Sequence, residues 1–342
     1  MSGAVPGTPA HNGRVPGVLA LLPRAVAALA LLAACGGTAG ESGSGPPAVP
    51  APRRGPVTTT TTDPGPVPEG SVVVVAAGDI ACTPGQAPSD LACRMQATAD
   101  LVAAAEPAVV LTLGDNQYED ATLEKFRQSY DRSWGRFRSL TRPSPGNHDF
   151  GGGRGAGYFA YFGPAAGRPG QGWYGFDAGS WHVVALNSNC AALGGCGPGT
   201  PQYEWLRADL AASDARCTLA YWHHPRFSSG YHGDDPSVGP LWELLAEAKA
   251  EVVLSGHDHH YERFAPLAPD GDPDPGGLRQ FVVGTGGRSL YPTLLPRKGS
   301  ERRQSTVFGV LVLTLSPDSY RWRFDSVAGV DSFTDAGHDA CR

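Results

Sequence analysis

The sequence predicts a mixed α/β fold with two β-sheets, carried by one domain over residues 71–342. Three observations predict it. Residues 71–77 (SVVVVAA) and 108–113 (AVVLTL) are apolar, β-branched runs, the pattern of strands buried on both faces. Segments with helical spacing alternate with such runs, as in the βαβ units of a parallel sheet. The chain then closes on paired short strands that read as antiparallel. A domain of this size buries roughly 70–75% of its unfolded surface, so a sizeable core is available.

Taken in order, residues 90–106 form a helix that ends before Pro107. Residues 119–134 read as a second helix. Residues 173–176 and 181–187 make a hairpin across Asp177-Ala178-Gly179. A helix over 201–212 leads to a strand at 218–222, and a helix over 241–250 leads to a strand at 251–254. Strands at 280–283, 309–315 and 319–324 complete the pattern.

The beginning of the chain differs in kind. Within 1–35 the only charged side chains are Arg14 and Arg24, and 25–34 is an apolar run, too short to span a bilayer and suited to a signal core. It ends in Leu32-Ala33-Ala34-Cys35-Gly36, which resembles a bacterial lipobox. Cys35 is therefore the expected acylation site of an exported, membrane-anchored lipoprotein, with plain secretion as the alternative. Residues 36–70, rich in Gly and Pro and carrying the Thr58–Thr62 run, cannot bury enough apolar surface to offset their ordering entropy. They read as a disordered tether.

Composition excludes several classes. No uninterrupted apolar stretch reaches the ~18 residues of a membrane-spanning helix. No Gly-X-Y period or sustained heptad exists. The net charge is −6, from 27 Lys+Arg against 33 Asp+Glu, which argues against a nucleic-acid footprint. With Cys35 set aside, Cys82, Cys93, Cys190, Cys196, Cys217 and Cys341 form an even set, as expected of an oxidising compartment. Local spacing favours Cys82–Cys93 and Cys190–Cys196, leaving Cys217–Cys341.

Polar residues then point to chemistry. Apolar strands end repeatedly in potential metal ligands: Gly78-Asp79, Gly114-Asp115-Asn116-Gln117-Tyr118, Gly146-Asn147-His148-Asp149, His223-His224-Pro225 and Gly256-His257-Asp258-His259. Strand C-terminal ends are where open α/β sheets place their sites, and Gly lets the backbone turn sharply there. Oxygen donors with imidazoles suit Fe, Mn or Zn.

These blocks, in this order, resemble the calcineurin-like metallophosphoesterases, and within them the purple acid phosphatases. The resemblance runs from about Val72 to Arg263. It implies a four-layer αββα sandwich and two metal ions. Asp79, Tyr118 and His259 would hold the first, Asn147, His223 and His257 the second, and Asp115 would bridge them. His223 is preferred to His224 because the family spacing is His-x-Pro. Ala81 stands where most of the superfamily has a His, and Tyr118 supplies a phenolate instead. That combination favours Fe(III) at the first position, with Fe, Zn or Mn at the second.

The resemblance further implies a phosphomonoesterase, exported by the reading of residues 1–35, that uses a metal-bridging hydroxide for in-line attack on a small phosphate ester. His148 would contact the phosphoryl oxygen or protonate the leaving group, and His232 is the second candidate acid. Asp149 is expected to orient His148, His224 either faces the site or packs, and Arg263 is a substrate contact or an ion-pair partner. Gly284-Thr285-Gly286-Gly287 either lines the site or forms a tight turn. Phosphodiester hydrolysis on nucleotides or lipid headgroups is the alternative, and a non-catalytic surface binding module the third reading. Substrate specificity is expected in loops 151–172 and 190–199.

Overall fold

The computed structural model describes residues 66–329 and 333–342. The expected signal segment, Cys35 and the tether up to residue 65 lie outside the described residues. The strands are β1 (Val72–Ala77), β2 (Val109–Leu113), β3 (Thr141–Ser144), β4 (Tyr174–Ala178), β5 (Trp181–Ala185), β6 (Cys217–Tyr221) and β7 (Val252–Ser255). They continue with β8 (Tyr261–Leu267), β9 (Leu278–Val283), β10 (Ser300–Gln304), β11 (Gly309–Ser316), β12 (Ser319–Ser326) and β13 (Ala336–Ala340). The α-helices are α1 (Met95–Ala105), α2 (Leu123–Gln128), α3 (Asn147–Arg154), α4 (Ala156–Phe162), α5 (Cys190–Leu193), α6 (Pro201–Ala212) and α7 (Gly239–Glu247).

One sheet has the order β13-β12-β11-β1-β2-β3 and the other β10-β8-β9-β7-β6-β5-β4. Both are mixed. β1, β2 and β3 run parallel, as do β5, β6, β7 and β9, and the flanking strands pair antiparallel. Helices cover the outer faces, which gives the expected four layers.

The period-two geometry of strands explains why the second sheet reads as unbroken apolar sequence. In β5, β6 and β7, Trp181, Val183, Leu219 and Leu254 face the core shared with the first sheet. Their neighbours Val184, Ala220 and Val253 join the separate core that holds Trp242 and Leu245 of α7. Aromatic pairs close the inter-sheet layer, among them Trp181–Tyr320 at 5.7 Å and Tyr261–Phe324 at 4.3 Å between ring centroids. The Trp181 indole N–H also donates to the carbonyl of Ser316 at 2.7 Å, across the sheets.

Several elements depart from expectation. The helix expected over 119–134 is α-helical only through α2, followed by short 3-10 turns. Long-range bonds compete with the helical ladder there. The Ser129 hydroxyl donates to the carbonyl of Cys82, and the Tyr130 N–H to the side chain of Gln117. The hairpin closes at 179–180, two residues later than expected. β3, β8, β10 and β13, the glycine-rich helix α3 and the aromatic-rich helix α4 had no sequence expectation. The three disulfides pair as spacing favoured: Cys82–Cys93, Cys190–Cys196 and Cys217–Cys341.

Candidate metal centre

The site forms where the parallel strands of both sheets end. Backbone bonds stitch the two ends together: Gly78 N–H donates to Val283 O at 2.9 Å, and Gly286 N–H to Gly78 O at 2.9 Å. Immediately beyond β1, β2 and β7, Asp79, Asp115 and His257 adopt left-handed backbone, with φ of 60°, 47° and 69°. Such conformations cost L-residues roughly 1–2 kcal/mol each and cluster at functional sites. The glycines beside them permit close approach. A Cβ on Gly146 would lie 2.1 Å from Asp115 Oδ1, and one on Gly114 would lie 2.5 Å from the His223 ring.

All seven sequence-predicted donors come together, in two groups. In the first, the Tyr118 hydroxyl lies 2.8 Å from Asp79 Oδ1 and 3.0 Å from His259 Nε2, and the latter two are 3.2 Å apart. In the second, His223 Nε2 lies 3.1 Å from Asn147 Oδ1 and 3.2 Å from His257 Nδ1. Asp115 Oδ2 is 3.3 Å from His223 Nε2. The His257 N–H donates to Asp79 Oδ2 at 2.8 Å and joins the groups.

This arrangement fits cations. The carbonyl of Leu113 lies 2.8 Å from His223 Nδ1 and can only accept, so Nδ1 carries the ring proton of the neutral imidazole. The Nε2 lone pair then faces a carboxylate, a carboxamide oxygen and a second imidazole at once. One proton cannot satisfy them all; a cation can. The donor spacings also match the ~3 Å edges of an octahedron built on ~2.1 Å bonds.

Electrostatics point the same way. Burial opposes charge on His223, yet the facing Asp115 and the nearby Asp79 raise its pKa to about 9. Burial likewise opposes the Asp115 carboxylate, but His223 outweighs it and holds the pKa below the usual range. Burial, then the charges of Asp115 and Asp79, push the Tyr118 phenol well up. His257 is driven down by burial and by His223 and His224. The buried carboxylates of Asp115 and Asp79 thus draw positive charge to the position that His223 Nε2 faces.

Around the donors, His148 Nδ1 lies 2.5 Å from the carbonyl of Glu119, and its Nε2 lies 3.9 Å from Asp115 Oδ2. Asp149 does not orient His148 as expected. Its carboxylate accepts the N–H of Asn116 at 2.9 Å, the Asn116 amide at 2.8 Å and the N–H of Gly146 at 3.0 Å. It clamps the Asp115 loop to the Asn147 turn. Burial and the Asp115 charge raise it to about 6 against those donors. The expectation failed because a capping carboxylate at the third position of α3 turns back to the helix start.

His224 faces the site, its ring 4.5 Å from that of His257 and its Nδ1 2.8 Å from the Ser188 hydroxyl. Burial and His223 lower it to about 4. His232 is exposed, and its ring lies 4.3 Å from that of His257. For Arg263 the structure shows the ion-pair alternative: its guanidinium pairs with Asp335 and Glu301 at the β8–β10 edge, and none of its bonds reaches a donor. The 284–287 segment props the Asp79 turn, since a Cβ on Gly284 would lie 2.9 Å from Asp79 Oδ2.

Sequence reasoning missed four residues. Ser289 Oγ lies 2.8 Å from His259 Nδ1, and Tyr291 stacks on His259 at 4.0 Å. Arg288 sits over the Tyr118 ring at 5.1 Å and pairs with Glu119. Asp258, fully buried between two donors, accepts the N–H groups of His232 at 2.8 Å and Gly233 at 3.2 Å, and the Ser228 hydroxyl. In the sequence, Asp258 was visible only as a member of the 256–259 block, and 288–291 only as the stretch after the Gly-rich run.

The fold and donor set define a class: a two-sheet α/β sandwich that gathers metal-type donors at its strand ends. Residues 72–261 match the calcineurin-like phosphoesterase family model. The chain belongs to that family. It is similar to purple acid phosphatase 22 of Arabidopsis thaliana, 34% identical over 125 residues, 34% of this chain and 27% of that protein. Purple acid phosphatase 23 of the same plant is 29% identical over 224 residues, 53% of this chain and 47% of that protein. The structure of purple acid phosphatase PPD1 from yellow lupin (Lupinus luteus) seeds superposes with a TM-score of 0.64 at 19% identity, covering 78% of this chain and 53% of that one, a likeness of fold. The chain spans about half or less of the length of these relatives.

Proposed function

We propose that this metallophosphoesterase is an exported phosphomonoesterase that works with two cations, held by Asp79, Tyr118 and His259 and by Asn147, His223 and His257, with Asp115 shared between them. The convergence of lone pairs on His223 Nε2 is the observation that carries this reading. Bound there, a cation pair would activate water and neutralise the phosphate's charge. The phenol of Tyr118 favours Fe(III) in the first position, and the N/O donors of the second suit Fe, Zn or Mn.

The chain's own residues supply the rest. Asp149 and the 284–287 segment fix the backbone of Asp115 and Asp79, so the donors need little reorganisation. His148, its Nδ1 proton held by Glu119 O, would meet the phosphoryl oxygens through Nε2 as the imidazolium, in which both nitrogens donate. His224, kept neutral by burial, borders the same space. His232, on the exposed rim, delivers the proton that the leaving alcohol needs.

Three disulfides support an oxidising, extracytoplasmic location. The lipobox-like segment ending at Cys35 supports a lipid anchor as the membrane attachment. No helix among the described residues is long and apolar enough to cross a membrane. Hydrolysis of p-nitrophenyl phosphate against its bis ester tests the reading. Faster turnover of the monoester is expected, and a preference for the diester would replace it with the phosphodiesterase reading.

A further inference from the structure

Among the described residues, six large apolar side chains are exposed: Val67, Leu91, Leu140, Tyr231, Leu294 and Leu295. Three of them, Tyr231, Leu294 and Leu295, line one groove of about 660 Å³ floored by Ser228, Ser229 and Gly230. They are 70%, 58% and 88% exposed, so each presents most of its apolar surface to water. An isolated exposed Leu needs no explanation, whereas three gathered in one concavity do.

The groove adjoins the candidate centre beside His232. Tyr231 directly precedes His232, with the two rings 5.4 Å apart, and His232 lies against His257. From the other direction, Tyr291 stacks on His259, and three residues later the Leu294 N–H donates to Ser229 O at 2.7 Å. Two chain segments therefore lead from the donors into the groove. Its one cation, Arg297, is engaged by Asp234 at 2.6 Å, so the lining offers little to a second phosphate.

We infer that this groove binds the alcohol portion of the substrate, and that the substrates it favours are phosphate monoesters of apolar alcohols, aryl or medium-chain alkyl. The inference rests on the phosphomonoesterase reading and on His232 as the acid. In the reaction, a water gives one proton to solvent as its oxygen bonds to phosphorus, the bond from phosphorus to the ester oxygen breaks, the proton from His232 completes the departing alcohol, and the exposed His232 regains a proton from solvent. That alcohol leaves beside His232, where Tyr231 and Leu294 would cover it.

The test measures kcat/KM of the metal-loaded full chain for ethyl, butyl, hexyl and octyl phosphate, with glycerol 2-phosphate as the polar reference. It compares the parent with the Leu294→Ser, Leu295→Ser double variant. Partial burial of each added methylene predicts about a twofold gain per CH₂ in the parent. The variant should lose that slope and keep the glycerol 2-phosphate rate. A flat series in the parent, or the same slope in the variant, overturns the inference. Calorimetric titration with ethyl- to octylphosphonate reads the groove without turnover. Affinity rising with length supports the groove even if no ester is hydrolysed, an outcome that would instead remove the phosphatase reading. Phosphatidylcholine vesicles that capture the parent but not the variant, with a flat phosphonate series, would assign the groove to a membrane surface.

Discussion

Asp258 stands between His257 and His259 in the chain, yet its carboxylate bonds to the 228–233 loop. Three donors of the 228–233 loop converge on it, and a Cβ on Gly230 would lie 2.3 Å from its carboxyl carbon. It is a positioning residue for His232. Asp258→Asn puts an N–H₂ among N–H donors and should slow turnover of phenyl phosphate about tenfold, while sparing p-nitrophenyl phosphate, whose leaving group needs less protonation. In a His232→Ala background the same change should add nothing. Equal losses on both substrates in both backgrounds would reduce Asp258 to a folding role. At Tyr118, iron(III) bound to the phenolate would give the oxidised protein a visible charge-transfer band, and Tyr118→Phe should bleach it. A colourless parent that holds only Zn or Mn would remove iron from the site.

His223 sets the pH behaviour. Its folded pKa of about 9 lies above the ordinary value near 6.5. In the metal-free protein its pairing with Asp115 therefore stabilises the fold fully below about pH 6.5, and that contribution is lost as pH rises through 9. Metal binding needs the neutral ring, so cations must displace a proton below pH 9. Denaturant midpoints should fall from pH 6.5 to 9 without metal and hold steady with it. Calorimetry in buffers of different ionisation enthalpy should register the released proton, and no release at pH 7 would contradict the pairing.

At the scale of elements, the donors occupy strand ends because glycines let two sheets meet there. Gly146→Ala would drive a methyl into Asp115 and should cost about 1–3 kcal/mol of stability together with metal occupancy. Thermal melts and metal content measure the two effects, and an unchanged melt would show that the turn has slack. These motifs were legible in the sequence because each donor lies within a few residues of a strand end that alone fixes its position. Asp258, Ser289 and Tyr291 were not legible, because their roles depend on loops brought together only by the tertiary fold. The broken helix after Tyr118 has the same cause: Gln117 and Ser129 bond to distant backbone, and no local period records that. β13 escaped notice because its exposed, polar residues carry no apolar alternation, and β3 because a four-residue strand containing Pro143 reads as a loop.

At the scale of the molecule, Cys217 opens β6 in one sheet and Cys341 follows β13 in the other, closing a loop of 124 residues. A loop that long stabilises by about 4–5 kcal/mol in the chain-entropy account. The Cys217→Ser, Cys341→Ser pair should lower the denaturant midpoint accordingly while leaving the metal donors in place. A loss of metal before unfolding would instead tie the disulfide to the site. The two sheets matter to function because each supplies part of the centre. Asp79, Asp115 and Asn147 follow strands of the first, and His223 and His257 follow strands of the second.

That convergence is tested most directly by element-specific metal analysis of the purified protein beside its Asp115→Asn variant. The account predicts two cations per chain in the parent and at most one in the variant; a parent holding one or none when saturated, or a variant that keeps both, would contradict it.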